Sequence, residues 1–285
     1  MPTGDKWYVS DLKARRLVVH RSTLGVDSVR VWPEYVAGKG FNETASALLA
    51  ELYNVSTGAG HLFVHSDGCC GEFLNWNFAK LFDQLVQWKW FTRITWCCFV
   101  KGHSYNLCDA ASRAMDRALH NVDHYYGLTD MAGLTIQHVV RNKQRFVRKL
   151  HIMRTKDFWG ISSWLGGGYA TTPTHMDHTK QAVLIRDHKI KWLDFGITPT
   201  PTNPDPEPHH GHVWMKSGYA ESIPWRKVRL AKQRRVFKTA DSLWSTPLHT
   251  GWVAVKAGKL EGFNKLKQYI PANKRGDVCP RGVRQ

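Results

Sequence analysis

Two short stretches hold the residues whose types and spacing could do chemistry: His65-Ser66-Asp67-Gly68-Cys69-Cys70-Gly71 and Lys101-Gly102-His103-Ser104-Tyr105-Asn106-Leu107-Cys108-Asp109. Each follows an apolar, β-branched run, so each delivers one carboxylate, Asp67 or Asp109, as the chain leaves a strand. Two carboxylates at neighbouring strand ends are a usual way to hold Mg²⁺ against a phosphate. In such a site Asp67 bridges the ions, Asp109 binds one of them, and Glu72 is a further weak ligand. His103 would hydrogen-bond Asp109 or a phosphate, or satisfy nearby backbone groups. Local roles stand beside these. Asn106-x-x-Asp109 has the spacing of a capping box, and Asp67 before Gly68 has the pattern of a turn acid.

A formal net charge of +17, from 40 Lys+Arg against 23 Asp+Glu, suggests an anionic partner for the same place. The basic residues are clustered. One run spans 141–149 and includes Lys143, Arg145, Arg148 and Lys149; a second spans 226–235 and includes Arg226, Lys227, Arg229, Lys232, Arg234 and Arg235. With Trp225, Phe237 and Trp244 these runs fit phosphate contacts plus base stacking, or equally a solvated face over an aromatic core.

Composition closes off several classes. Hydrophobic residues at 42% and aromatics at 12% exclude a disordered chain. The sequence has no long apolar run of membrane-spanning length and no apolar stretch near Met1, so a soluble intracellular protein is expected, and with a nucleic-acid partner a nuclear one. Six cysteines, including the vicinal pairs Cys69-Cys70 and Cys97-Cys98, lack C-x₂-C spacing and read as reduced thiols. His175 and His178, and His209, His210 and His212, lie in polar loops without matching Cys, which favours solvated histidines over zinc ligands. Gly166-Gly167-Gly168 has no following Lys-Ser/Thr and is not a phosphate loop.

The elements that must position these residues follow from periodicity. Short strands are expected over 12–20 and 27–32 around Gly25, then a helix begun by Asn42 and Thr44 and running through Leu52. His61–His65 reads as a compact buried strand and 72–90 as a helix buried on more than one face. Ile94–Val100 reads as a strand inside a sheet covered on both sides, and 106–121 as a helix with Ala110, Ala114, Met115 and Ala118 inward. The order β-β-α-β-α-β-α over 7–121 calls for an antiparallel hairpin followed by parallel units. Beyond it come a helix over 129–141, strands over 183–185 and 190–195 that could pair, and a proline-rich stretch over 198–208. Strand fragments at 214–216 and 236–237 and a basic helix over 256–268 follow.

The motifs resemble those of the domain of unknown function 7869 family, which is suspected of descending from transposases. Asp67-Gly68-Cys69-Cys70-Gly71-Glu72-Phe73-Leu74-Asn75 is similar to the family's Asp-Asn-Cys-Gly-Gly-Gln-Asn-Lys-Asn motif. Gly102-His103-Ser104 followed by Asp109 is similar to its Gly-His-(Thr/Ser)-x-x-x-x-Asp, and Gly38-Lys39-Gly40-Phe41-Asn42-Glu43 to its helix start. Ile223-Pro224-Trp225, Thr246-Pro247-Leu248 and 265–271 resemble its C-terminal region, so the likeness spans roughly 2–271 and is loose beyond 180.

The resemblance implies a ribonuclease H-like mixed sheet flanked by helices, its first strand missing, with an irregular α+β C-terminal region. The changes of pattern along the chain divide it into 7–125 (core), 126–197 (helical, basic extension), 198–212 (proline-rich loop or linker) and 213–272 (small C-terminal subdomain), with a disordered tail expected over 273–285. The resemblance also implies a nucleic-acid partner, DNA ahead of RNA, and an ancestral Mg²⁺ site on Asp67 and Asp109. The motif departs from the family at Gly68, Glu72, Phe73 and Leu74, where polar residues would face a phosphate. The further carboxylate of ribonuclease H-like nucleases would fall upstream of Met1. The expectation is therefore an incomplete, impaired site. Alternatives are an active Mg²⁺-dependent nuclease completed by an upstream segment, or a protein-binding scaffold without catalysis.

Overall fold

A computed structural model describes residues 14–53, 55, 59–67, 72–99, 106–120, 127–141, 149–166, 169–175, 191–196, 211–231, 241–248 and 272. In chain order the elements are β1 (Ala14–Arg21), β2 (Val26–Pro33), α1 (Phe41–Leu52), β3 (Ala59–Ser66), α2 (Trp76–Gln87), β4 (Phe91–Cys98), α3 (Leu107–His120) and α4 (Leu128–Arg141). They continue as β5 (Lys149–Ile152), a 3₁₀ turn (Thr155–Asp157), α5 (Ile161–Gly166), β6 (Tyr169–His175), β7 (Trp192–Phe195), β8 (His212–Lys216), β9 (Arg226–Ala231) and α6 (Asp241–Trp244). No helix among the described residues is long and apolar enough to cross a membrane.

The elements fall into two compact units. In the first, β1 and β2 form an antiparallel hairpin and β5 adds to β2 in parallel. The turn between β1 and β2 places Gly25 at φ +57°, a left-handed conformation that glycine adopts without a Cβ penalty. One face of this sheet carries Val29 and Val31. They pack with Ala111 and Met115 of α3 and Met131 of α4, while Val18 and Leu150 flank the cluster. Of the four residues expected inward, Ala114, Met115 and Ala118 are buried, whereas Ala110 is half-buried and Ala111 takes the buried position in its turn. Arg16 on β1 grips Asp116 on α3 through two hydrogen bonds of 2.7 and 3.0 Å.

The second unit holds a six-stranded mixed sheet in the order β3-β4-β7-β8-β9-β6. β3 and β4 are parallel, joined across α2; the other pairs are antiparallel. Asn75 caps α2, its side-chain oxygen accepting from the Asn77 and Phe78 amides at 3.1 and 3.2 Å. Phe78, Leu81, Phe82 and Leu85 of α2 are wholly buried, each burial stabilising by about 1.5–3 kcal/mol. Phe82 meets Trp96 on β4 edge-on at 5.4 Å and Phe195 on β7 at 5.9 Å. α2 is buried around its circumference, Lys80, Asp83 and Gln84 included, as its apolar density suggested. At the end of β7, Gly196 has φ +98°, and a Cβ there would stand 2.5 Å from the Thr92 carbonyl oxygen, so the close pass of β7 over β4 needs glycine.

The mixed α/β class and the element order through α3 agree with the sequence pattern; the pairing differs. The described strands form two sheets, with β1 and β2 in one and β3 and β4 in the other. Apolar alternation fixes which strand faces are buried, but not which edges pair. Here β2 gives its second edge to β5, and β4 gives its second edge to β7. β8 and β9, expected in a separate C-terminal subdomain, continue the β3–β4 sheet. β3 ends that sheet and is not buried on both sides, for Phe63 is 59% exposed. Asn42 is not the cap of α1, which starts at Phe41; its side chain instead accepts the Ser162 amide of α5 at 2.8 Å. The expected strands over 183–185 and 236–237, the helix over 256–268, the proline-rich stretch and the tail lie outside the described residues.

Candidate functional site

Asp67 stands where the strand pattern put it, one residue beyond β3, and it is exposed. The strand end beneath it is fixed from β4. Ser66 pairs with Cys98, the Trp96 indole donates to Ser66 Oγ at 2.8 Å, and the Phe99 amide donates to the Ser66 carbonyl at 2.9 Å. Downstream, Asn75 serves as the cap of α2, which gives the last residue of the first motif a structural role. Glu72 is half-buried at the start of that turn.

Asp109 lies in the first turn of α3, and the capping-box role is realised. Its Oδ2 accepts the Asn106 amide at 2.9 Å, while Asn106 Oδ1 accepts the Cys108 amide at 2.7 Å. A carboxylate there also complements the helix N-terminus. Asp67 and Asp109 belong to different compact units. His103 lies outside the described residues. Among the described residues no group of three or more His, Cys, Asp or Glu could hold a metal ion. The donor set on hand is two carboxylates, one already engaged by an amide, where two-metal phosphoryl transfer uses about three or four. These residues alone do not fit a two-metal site.

The described thiols are free. Cys97 and Cys98 are buried, and burial pushes the Cys98 thiol up to about 12. Burial also raises Cys108, whose thiol meets the His20 backbone near the Asp27 carboxylate. His20 Nδ1 and Asp27 Oδ1 are 2.7 Å apart, so cysteine, histidine and carboxylate do come together. A thiol held protonated is a poor nucleophile, and this cluster packs α3 against the hairpin.

The basic residues of β9 occupy a more informative place. In the β8–β9 register Lys227 faces Trp214 and Arg229 faces His212, all on the sheet face opposite α2. Lys227 Nζ lies 5.9 Å from the Trp214 ring centroid, and Lys216 Nζ lies 5.9 Å from that of Trp225. Both are within cation–π reach. Arg229 is exposed, and Arg226, which alternates to the other face at the strand start, is exposed too. Lys149 is exposed on β5 of the first unit. Lys143, Arg145, Arg148, Lys232, Arg234 and Arg235 lie outside the described residues.

On the same outward face a polar chain crosses β3, β4 and β7. Arg93 donates to both Asp194 oxygens, at 2.9 Å from Nε and 2.5 Å from Nη2. Thr95 Oγ1 also donates to Asp194, at 2.9 Å, and lies 2.8 Å from His61 Nε2. Since the Thr95 proton points at Asp194, His61 must donate through Nε2–H, which sets its neutral tautomer. Burial lowers the His61 pKa and the nearby Arg93 lowers it further, with Asp194 opposing. Burial raises Asp194 and the Arg93 hydrogen bonds pull it back. The single carboxylate of β7 is thereby neutralised inside the face.

Sequence reasoning passed over this face. Its signal was the strict alternation His61-x-Phe63-x-His65, read as one buried strand rather than a half-exposed edge. No protein-family model, curated protein or solved structure matches the chain.

Proposed function

We propose that this chain is a nucleic-acid-binding α/β protein of transposase descent, DNA being the preferred partner, with an incomplete and impaired Mg²⁺-carboxylate site. The observation that carries the binding part is the outward face of the six-stranded sheet. There Lys227 and Arg229 stand beside Trp214 and Trp225, and the one acid of the β7 segment, Asp194, is held by Arg93. Cations supply phosphate contacts, rings supply stacking, and no free carboxylate on β7 opposes them. The overall charge of +17 adds long-range attraction for a polyanion.

Anisotropy of a labelled DNA oligonucleotide, titrated with the full chain at 50 and 200 mM salt, tests it. The two phosphate contacts that β9 offers on this face, from Lys227 and Arg229, would weaken duplex affinity by about 12-fold over that range. Binding that is absent at low salt, or insensitive to salt, favours a protein-interaction scaffold instead.

What supports the ribonuclease H-like ancestry is the parallel β3–α2–β4 unit; the β1–β2 hairpin, expected in the same sheet, lies in another. One observation favours a second reading, in which an upstream segment completes an active nuclease. Among the described residues β1 and β3 each end their sheets, and each offers an unpaired edge to a further strand. Mg²⁺-dependent nicking by a longer chain, abolished by Asp67→Ala, would establish that reading.

A further inference from the structure

We infer that the outward face of the six-stranded sheet is a platform for unpaired bases, so that the preferred ligand is single-stranded rather than duplex nucleic acid, engaged through Phe63 and His61 on β3 as well as the cations of β9. The assignment rests on the nucleic-acid reading above and narrows it to one ligand class and one face.

The register places the parts. His61, Phe63 and His65 point to the side opposite α2, in line with Arg93, Thr95 and Cys97 on β4. Their neighbours Leu62 and Val64 turn inward, aligned with Ile94 and Trp96 under α2. The centre of this face is closed over, since Thr95, Cys97, Asp194 and Lys216 are buried, and the exposed parts are the β3 edge at one end and the basic strand β9 at the other. At its β3 end Phe63 is 59% exposed and its ring centroid is 3.9 Å from that of His61. His65 and Phe99 form a second ring pair at 5.7 Å. Farther across, Tyr219 is 44% exposed and its ring meets Trp192 at 6.0 Å.

Three features favour bases over another occupant. The face combines exposed rings with cations, which suits a polyanion carrying flat apolar groups. The His61 ring packs 3.9 Å from that of Phe63 and is fixed by its bond to Thr95, while burial and the nearby Arg93 lower its pKa and so disfavour a charge there. Among the described residues this face carries no helix or two-stranded ribbon of the kind that enters a major groove. A duplex hides its ring faces inside the stack, so exposed aromatic side chains gain nothing from it, whereas unpaired bases present those faces directly.

The test compares a 12-nucleotide single strand, as DNA and as RNA, with the matching duplex, using the full chain and its Phe63→Ala, Phe63→Trp and Lys227→Ala variants. Phe63 is largely exposed, so its replacement leaves the fold intact, and unchanged circular dichroism and thermal midpoint verify that. The expected result is tighter binding of the single strand than of the duplex. Phe63→Ala should weaken single-strand binding about 5- to 150-fold without changing its salt slope, Phe63→Trp should retain it, and duplex affinity should not move. Single-strand affinity unaffected by Phe63→Ala, while Lys227→Ala weakens all ligands alike, overturns the platform and leaves the nucleic-acid reading standing. No binding of any strand at low salt overturns both.

Discussion

Lys227 on β9 and Trp214 on β8 are register partners, and the ammonium nitrogen sits 5.9 Å from the centre of the indole. The pair shows how the basic strand is built into the sheet. The ammonium lies over the ring on the outward face of the sheet. Replacing Lys227 by Gln removes the cation–π term and should lower stability by about 0.5–1 kcal/mol, while Lys227→Arg should retain it. Urea unfolding of the three proteins reads the difference directly.

Asp83 is a buried carboxylate on which stability should depend strongly. It is buried in α2 and accepts from the Tyr169 hydroxyl at 2.7 Å, the Gly211 amide at 3.0 Å and Gln87 Nε2 at 2.6 Å, tying β6 and the start of β8 to the helix. Burial raises its pKa to about 7 despite those bonds. Because the folded value exceeds the unfolded one of 3.8, the folded state holds the proton more tightly. The associated stability is fully present below pH about 4 and is lost as pH rises through about 7, a change of about 4 kcal/mol. Asp83→Asn keeps an acceptor for Tyr169 and Gly211, and should flatten stability between pH 4 and 7 in denaturant titrations.

Arg93 and Asp194 form a pair in which the acid is buried and the base is 28% exposed. Arg93→Ala strands a buried carboxylate and should cost about 3 kcal/mol. The double variant Arg93→Ala/Asp194→Asn should recover much of that loss, because the uncompensated charge is gone. A double-mutant cycle by chemical denaturation measures the coupling; additive losses would mean the two side chains do not compensate each other.

Asp109 caps α3 through the Asn106 amide. Asp109→Ala should therefore lower stability by about 1 kcal/mol, and Asp109→Asn by less, since an amide oxygen still accepts that bond. Thermal unfolding of both variants checks the order. Equal losses would point to the charge, not the acceptor, as what matters at that turn.

Much of the local structure was legible. The hairpin of β1 and β2, the helices from 106 and 128, and the parallel β3–α2–β4 unit follow from apolar spacing that tertiary contacts then reinforce. Edge pairing was not legible, because nothing in Val29 or Val31 specifies that β5 rather than another strand takes the free side of β2. The short segment Trp192–Phe195 was recognisable as a strand, but not as the third strand of a six-stranded sheet. Asp67 and Asp109 were found at strand end and helix start, yet the amide that Asp109 holds is a local bond that motif likeness could not separate from a metal role. The outward face escaped notice because His61 and Phe63, taken with Leu62 and Val64, look like one apolar run until the sheet shows which side of β3 is open.

The central claim, that cations of β9 meet phosphates on the outward face, is tested most directly by the salt dependence of DNA affinity in the Lys227→Ala/Arg229→Ala variant. Removing two phosphate contacts should reduce the slope of log affinity against log salt by about 1.4 for a single strand or about 1.8 for a duplex. A variant that binds DNA with the parent's affinity and slope would contradict it.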